Sequence, residues 1–304
     1  MSKIFKNPTD LKLRALPHYQ RANKLSLGTL DIIRITIKNF SLSRGAEAAA
    51  SLSYYAIFSL FPLLLVMVSV AGFLINSEQA YQAVLAAIGS VLPGAVDLIE
   101  RNMQVILRQR GTIGIIGLVG AIWSASAFFN TLVRNINRAW LGLKPRGVIR
   151  TRLIALAMVA LLPILLVLSL TSSTVIDLIR FSNLDILGFL KVDEDQVSVY
   201  VRLLVPSLFT FFMFLIAYRV IPNTSVSIRA GLWGALYTTV FWELAKRAFS
   251  YILASGLVQY ELLYGSLGTV VALMFWIYLS CTIVLLGAHL TATIDQRTRR
   301  RRKA

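Results

Sequence analysis

Six long apolar stretches, separated by connections that carry most of the charge, constrain this chain more than any other feature. The last of them, Leu262–Ile294, has no formal charge at all. A helix needs roughly 20 apolar residues to cross a hydrocarbon core about 30 Å thick, because each residue adds about 1.5 Å. The sequence therefore predicts an all-α, polytopic membrane protein with six transmembrane helices, at about residues 51–75, 111–133, 153–176, 199–220, 229–253 and 265–294.

The predicted spans form one membrane domain, residues 46–295, between two basic ends. Residues 1–45 are predicted to be a cytoplasmic basic segment. Apolar residues recur in it at three- and four-residue spacing from Leu27 to Phe40, which indicates an amphipathic helix on the anionic leaflet. Residues 296–304 form a polybasic cytoplasmic tail. The same periodicity predicts outer amphipathic helices within residues 77–109 and 175–190.

Lysine and arginine are distributed unevenly among the connections. Residues 1–50 hold nine, residues 134–152 hold six, and the tail from Arg297 holds six, whereas the alternate connections are poor in them. Basic connections face the cytoplasm, so both termini are predicted to lie there, in a bacterial inner membrane. This orientation and contact with anionic lipids explain the net charge of +17, and no nucleic-acid partner is expected.

Ionisable residues at membrane depth are costly and mark candidate sites. Glu243 lies about 21 Å along its helix from Arg229, and Lys246 and Arg247 follow it at the spacing of one helical face. This set predicts a site that binds an anionic headgroup or couples a proton. The alternative is a self-neutralised pair, or cations that snorkel to the interface. The sequence leaves both interpretations open.

Other polar residues are weaker candidates. Tyr54 and Tyr55 on the first span, Arg219 and Asn223 at a turn, and Tyr264 before the last span are candidate substrate-binding residues. The alternative is a structural role, in which such side chains join neighbouring helices. Two arginines at the end of the second span, Arg134 and Arg138, could bind lipid headgroups or anchor the interface.

The sequence also argues against several chemistries. Its two histidines, His18 and His289, and its single cysteine, Cys281, have no companions at the spacing of metal ligands. No glycine-rich phosphate loop is present. We therefore expect no metal, no cofactor and no enzymatic activity, and one cysteine excludes an intramolecular disulfide.

Five segments of the chain resemble a known family. They are LSYYAIFSLFPLLL (52–65), WSASAFFNTLVRNINRAW (123–140), YRVIPN (218–223), GALYTTVFWELAKRAFSYIL (234–253) and YGSLGTVVALMFWIYLSCTIVLLGA (264–288). Together they resemble the YihY/BrkB family of bacterial inner-membrane proteins. The resemblance implies a six-helix inner-membrane protein. The family has also carried the label ribonuclease BN, and lipid or envelope-precursor transport has been proposed for it.

The sequence and the resemblance suggest three candidate functions. A carrier or flippase of an anionic amphiphile or envelope precursor uses the most features of the sequence. A non-transporting scaffold for envelope assembly would use the outer amphipathic helices and the acidic VDEDQ loop to dock envelope proteins. A ribonuclease is disfavoured, because phosphodiester hydrolysis usually needs a metal cluster or a paired acid and base. The substrate, its direction, the coupling ion and the oligomeric state are left open by the sequence.

Overall fold

The computed structural model describes residues 29–74, 112–140, 149–158, 194–255 and 268–303, together with residues 89, 142 and 147. These ranges contain seven helices and no strand, which confirms the all-α prediction for this part of the chain. The helices are α1 (Thr29–Leu42), α2 (Gly45–Leu74), α3 (Thr112–Arg138), α4 (149–158), α5 (Glu194–Val220), α6 (Ile228–Ala254) and α7 (Gly268–Lys303).

One helix of this set is long and apolar enough to cross a bilayer by length and composition. It is the Gly268–Arg300 part of α7, and Pro206–Val220 of α5 is a shorter apolar stretch. By this measure the described residues contain one candidate transmembrane helix, and they do not confirm the predicted six.

Several helix bounds differ from the predicted spans. Helix α5 begins at Glu194, before the predicted start at 199, and α4 begins at 149, before the predicted start at 153. Helix α7 continues through the predicted tail to Lys303. The rest of the third span (159–176) and the outer helix at 175–190 lie outside the described residues. So does the segment 77–109, apart from Gly89.

Many large apolar side chains of the described residues are exposed, although the buried core is mainly apolar as well. On α6, large apolar residues such as Trp233, Phe241 and Leu244 are exposed, whereas Thr238 and Thr239 are buried. Water-soluble proteins rarely expose so large an apolar surface, and such a surface marks contact with a partner or a membrane. Lipid as the solvent explains the pattern, because small and polar residues are then the ones that join helices.

Helix α1 shows the same pattern. Thr36 is buried, with its hydroxyl oxygen 3.4 Å from that of Thr293 on α7, and the Phe40 ring lies edge-on to His289 at 5.8 Å. Ile33 and Ile37 are exposed. The predicted helix is therefore present, but its polar face packs against the protein and its apolar face points outward.

Helix α7 lies at the centre of the described fold, where it packs against α1, α2, α3 and α6, while α5 packs mainly against α6. Matching contacts set the α6–α7 register: Gly234 lies against Thr291, Thr238 against Gly287, and the Phe249 ring stacks on Trp276 at 5.1 Å. Equal steps forward on α6 and backward on α7 show that the helices are antiparallel. Glycine and threonine allow close approach at one end of the contact, and aromatic rings fill the other.

Candidate functional site

The predicted charge cluster on α6 contains an ion pair. Lys246 Nζ donates to Glu243 Oε1 at 3.0 Å and lies 2.9 Å from Oε2. The residues are three apart on one helix, which is the spacing at which side chains meet. The side chains of Lys246 and Glu243 are 24% and 17% exposed, respectively. The predicted pairing is confirmed, and both side chains remain partly exposed.

Arg247 adds a second cation next to this pair. Its side chain is exposed, and no hydrogen bond or ion pair joins it to another residue in the described ranges. One acid and two bases therefore share this part of α6. The group keeps a net positive charge, which favours an anion over a cation as its ligand.

Aromatic packing fixes α6 beside the ion pair. The Trp242 ring lies 5.7 Å from Phe214 of α5 and 5.8 Å from Trp276 of α7, measured between ring centroids. Edge-to-face contacts of this kind add stability beyond the buried area. Because Trp242 precedes Glu243 in sequence, this packing limits the movement of the charged residues.

A buried tyrosine, Tyr218, joins three helices. Tyr218 Oη of α5 lies 2.9 Å from Thr238 Oγ1 of α6 and 2.8 Å from the Val284 carbonyl oxygen of α7. Thr238 Oγ1 is also 2.8 Å from the Gly234 carbonyl oxygen, so two hydroxyl protons serve three contacts. The sequence reasoning missed this junction, although Tyr218 opens the YRVIPN motif.

A buried carboxylate holds the turn between α5 and α6. Asp295 of α7 is 1% exposed, and its Oδ1 accepts from the Ser227 backbone N–H at 2.9 Å. Its Oδ2 accepts from Arg299 Nε at 3.0 Å, and Arg299 also donates to Thr224 Oγ1 and the Ser225 carbonyl. Ser227 is the N-cap of α6 and makes no side-chain cap bond, so Asp295 supplies the negative charge that a helix N-terminus favours.

The Asp295 clamp, formed by Asp295 with Ser227 and Arg299, has a recognisable signal in the sequence. Asp295 and Arg299 are four residues apart near the end of the last apolar stretch, a spacing typical of a helical ion pair. The same turn is also held from α3, where Asn137 Oδ1 accepts from the Asn223 N–H at 2.7 Å. The candidate Asn223 therefore belongs to a structural contact between α3 and the α5–α6 turn.

The remaining arginine candidates make contacts on their own helices or at the surface. Arg134 Nε donates to the Asn130 carbonyl at 3.4 Å, and Arg138 Nη1 donates to Asn135 Oδ1 at 3.2 Å. Both side chains are exposed. Arg219 is exposed as well, with its aliphatic stem against Gly231.

The tyrosine candidates are not brought to the ion pair in the described part of the chain. Tyr54 and Tyr55 are exposed on α2, with ring centroids 5.7 Å apart, and Tyr54 also packs on Phe58. Tyr264 lies outside the described residues. The geometry thus assembles one charged site, Glu243 with Lys246 and the neighbouring Arg247.

The described ranges contain no candidate metal site. No three of the His, Cys, Asp and Glu residues in these ranges come together in a way that could hold a metal ion. His289 is buried against Phe40, and Cys281 is buried on α7. Asp295 is occupied by its clamp.

Helices that expose many large apolar side chains and bury threonines where they meet are typical of an α-helical membrane protein, and comparison with known proteins identifies its family. The family model described as "Virulence factor BrkB" matches residues 36–304, so the chain belongs to the BrkB family. It is 27% identical to the UPF0761 membrane protein NTHI0384 of Haemophilus influenzae, over 85% of this chain and 93% of that protein. It is 28% identical to the putative ribonuclease-like protein YfkH of Bacillus subtilis, over 88% and 96%. No solved structure matches the chain.

Proposed function

We propose that this chain crosses the bacterial inner membrane six times, with both termini in the cytoplasm, and that it carries or flips an anionic amphiphile. Two observations support the topology: the basic connections alternate along the sequence, and α1, α5 and α6 expose large apolar side chains. The proposal assigns no catalytic step to the chain. Its partners are anionic membrane lipids, and envelope proteins at the outer face.

The observation that carries the transport proposal is the incompletely buried ion pair of Glu243 and Lys246, at 2.9 Å. Charges within a membrane domain are costly, and they persist where they serve a ligand path or pair with each other. Here Glu243 pairs with Lys246 and not with Arg247, and the side chains of Glu243 and Lys246 remain partly exposed. An anionic headgroup is the ligand that this excess of positive charge would attract.

The rest of α6 suits an amphiphile. Large apolar side chains such as Leu236, Val240 and Leu244 are exposed along the helix. Acyl chains can lie against them while the headgroup contacts Lys246 and Arg247. A headgroup can thus cross the apolar layer beside a charged group while its chains stay in lipid.

A vesicle assay tests this proposal. The full chain is reconstituted in phosphatidylcholine vesicles with a trace of fluorescent phosphatidylglycerol, and dithionite bleaches the label in the outer leaflet. We expect faster loss of the inner-leaflet label than in protein-free vesicles. We expect Lys246→Gln to slow it by about tenfold, the effect of losing one contact to a charged group. Equal rates with and without protein would contradict the proposal.

A matched control is available where α2 begins. Arg44 and Glu47 form an ion pair with the same three-residue spacing, at 3.5 Å, and their side chains are 79% and 71% exposed. Exposed pairs contribute little. Arg44→Gln should therefore leave the transport rate unchanged, and a loss as large as that of Lys246→Gln would show that any charge change is harmful.

The scaffold alternative also has a supporting observation. The Tyr218 junction and the Asp295 clamp hold α5, α6 and α7 together, as a rigid assembly platform would require. In that case the ion pair would be structural, and replacing both partners by apolar residues would preserve function.

A further inference from the structure

A stripe of exposed apolar and aromatic side chains runs along α6. Its members recur every three or four residues; they are Trp233, Leu236, Val240, Leu244 and Tyr251. Successive residues of an α-helix are about 100° apart, so these five positions fall within about 80° of the helix circumference. The contacts of α6 with α7, through Gly234 and Thr238, lie on the other side of the helix. We call this set the lipid-facing stripe.

The lipid-facing stripe carries one arginine near each end. Arg229 and Arg247 are both exposed, and their positions fall within the same 80°. They are 18 residues apart, which is about 27 Å along the helix and close to the hydrocarbon thickness of about 30 Å. No charged residue lies on the stripe between them. Arginines in such positions extend to the headgroup layers, so under the proposed topology Arg229 reaches the inner layer and Arg247 the outer one.

Arg247 does not use the acid that is best placed for it. Glu243 lies four residues earlier on α6, and a glutamate four residues before a cation is a favourable order for a helical ion pair. Glu243 instead pairs with Lys246 at 2.9 Å, and no hydrogen bond or ion pair joins Arg247 to another residue of the described ranges. The guanidinium, which has five N–H donors, therefore lies on the lipid-facing stripe without an acceptor from this part of the protein.

Lys246 and Arg247 face different surroundings. Being consecutive, they point about 100° apart around the helix. Lys246 lies beside the stripe, where its side chain is 24% exposed and bonded to Glu243. Arg247 lies on the stripe itself, one turn before the exposed Tyr251 and one turn after the exposed Leu244. The two cations therefore have separate tasks in any contact with a lipid.

We propose that Arg247 binds the phosphate of a phospholipid in the outer leaflet, whose acyl chains lie along Leu244 and Val240. A guanidinium binds phosphate oxygens through two parallel hydrogen bonds, and tyrosines such as Tyr251 are common at the headgroup layer. The bound lipid lies next to the Glu243–Lys246 pair, from which its headgroup can then displace Glu243. This inference rests on the proposed function and topology, and it names the leaflet from which the substrate enters.

Binding of phosphatidylglycerol to the full chain in neutral detergent, followed by native mass spectrometry, tests the contact. We expect Arg247→Gln to weaken the tightest binding about tenfold, since it removes a hydrogen-bonded contact between charged groups. Arg247→Lys should fall between the two, because it keeps the charge and loses the paired hydrogen bonds. The matched control is Arg44→Gln, an equally exposed arginine outside the lipid-facing stripe. If Arg247→Gln binds as tightly as Arg44→Gln, the site is wrong.

A photoreactive lipid locates the contact. Phosphatidylglycerol with a diazirine on its acyl chain should label α6 in vesicles that contain wild-type protein, and Arg247→Gln should reduce this labelling about tenfold. Labelling of α6 that is unchanged in Arg247→Gln would overturn the site. Millimolar inorganic phosphate should not reduce the labelling, and competition by it would assign the contact to a free ion instead of a lipid.

Cysteine labelling in intact cells tests the leaflet. An impermeant maleimide should label Tyr251→Cys from outside and Trp233→Cys only after permeabilisation, while the native Cys281, which is buried, should stay unlabelled. Failure to label Tyr251→Cys from outside would overturn the assignment to the outer leaflet.

The Arg247 site and the proposed function can fail separately. If Arg247→Gln loses the bound lipid but reconstituted wild-type protein moves no lipid, the transport proposal fails and the binding site stands. If wild-type protein moves phosphatidylglycerol and Arg247→Gln moves it at the same rate, entry at Arg247 is wrong and the transport proposal stands.

Discussion

The close contact of α6 with α7 makes Gly234→Ala a sharp test of the packing. A Cβ at this position would overlap Thr291 Oγ1 and would lie 3.0 Å from Thr291 Cβ and 3.4 Å from the backbone oxygen of Gly287. Thr291 is β-branched, and rotating it away breaks its 2.8 Å hydrogen bond to that oxygen. Overpacking costs about 1–3 kcal/mol and the lost bond about 1, while alanine regains about 1 through helix propensity. The expected net loss of stability is about 1–3 kcal/mol.

Unfolding in detergent micelles measures this loss, and other glycines give a graded control. The space where a Cβ would sit on Gly147 has no neighbour within 4 Å, and on Gly231 it meets the flexible Arg219 stem at 3.1 Å. The expected order of damage is Gly234→Ala, then Gly231→Ala, then Gly147→Ala. Adding Thr291→Ala should recover part of the stability lost in Gly234→Ala. Simple additivity of the two changes would refute the contact.

Three further predictions concern the turn, the topology and the chemistry. Asp295→Asn should lower stability by about 1–2 kcal/mol, because it weakens the cap of α6 and the bond to Arg299, whereas Arg44→Gln should change unfolding little. Reporter fusions at Lys303 and within residues 185–195 should give opposite signals, and identical signals would refute six spans. Purified protein should show no metal-dependent RNA cleavage; activity that survives repurification and disappears on mutation of this chain would reverse the ranking of functions.

Contacts within one helix were predictable from the sequence. The Glu243–Lys246 pair follows from three-residue spacing alone, because helix geometry fixes where the side chains meet. The α5–α6 turn contains Pro222 and separates two apolar stretches, so the observed helix limits at Val220 and Ile228 lie within a few residues of the predicted ones.

Contacts between helices were not predictable, because no periodicity states which helix is the neighbour. The Asp295 clamp and the Tyr218 junction each depend on the antiparallel pairing of α6 with α7. For α1, periodicity predicted the helix, but it could not show that its Thr36 face packs against α7.

The most direct measurement is the rate of phosphatidylglycerol movement in vesicles that contain the double variant Glu243→Leu/Lys246→Leu. It is compared at matched protein amounts with the wild type, with Glu243→Gln and with the exposed control Glu47→Gln. Removing both charges leaves no unpaired buried ion, so a structural pair would tolerate the change. If Lys246 binds the headgroup, the double variant moves lipid at least about tenfold more slowly than the wild type, while Glu47→Gln keeps the wild-type rate. A double variant that transports at the wild-type rate would contradict the proposal and remove Glu243 and Lys246 from the site.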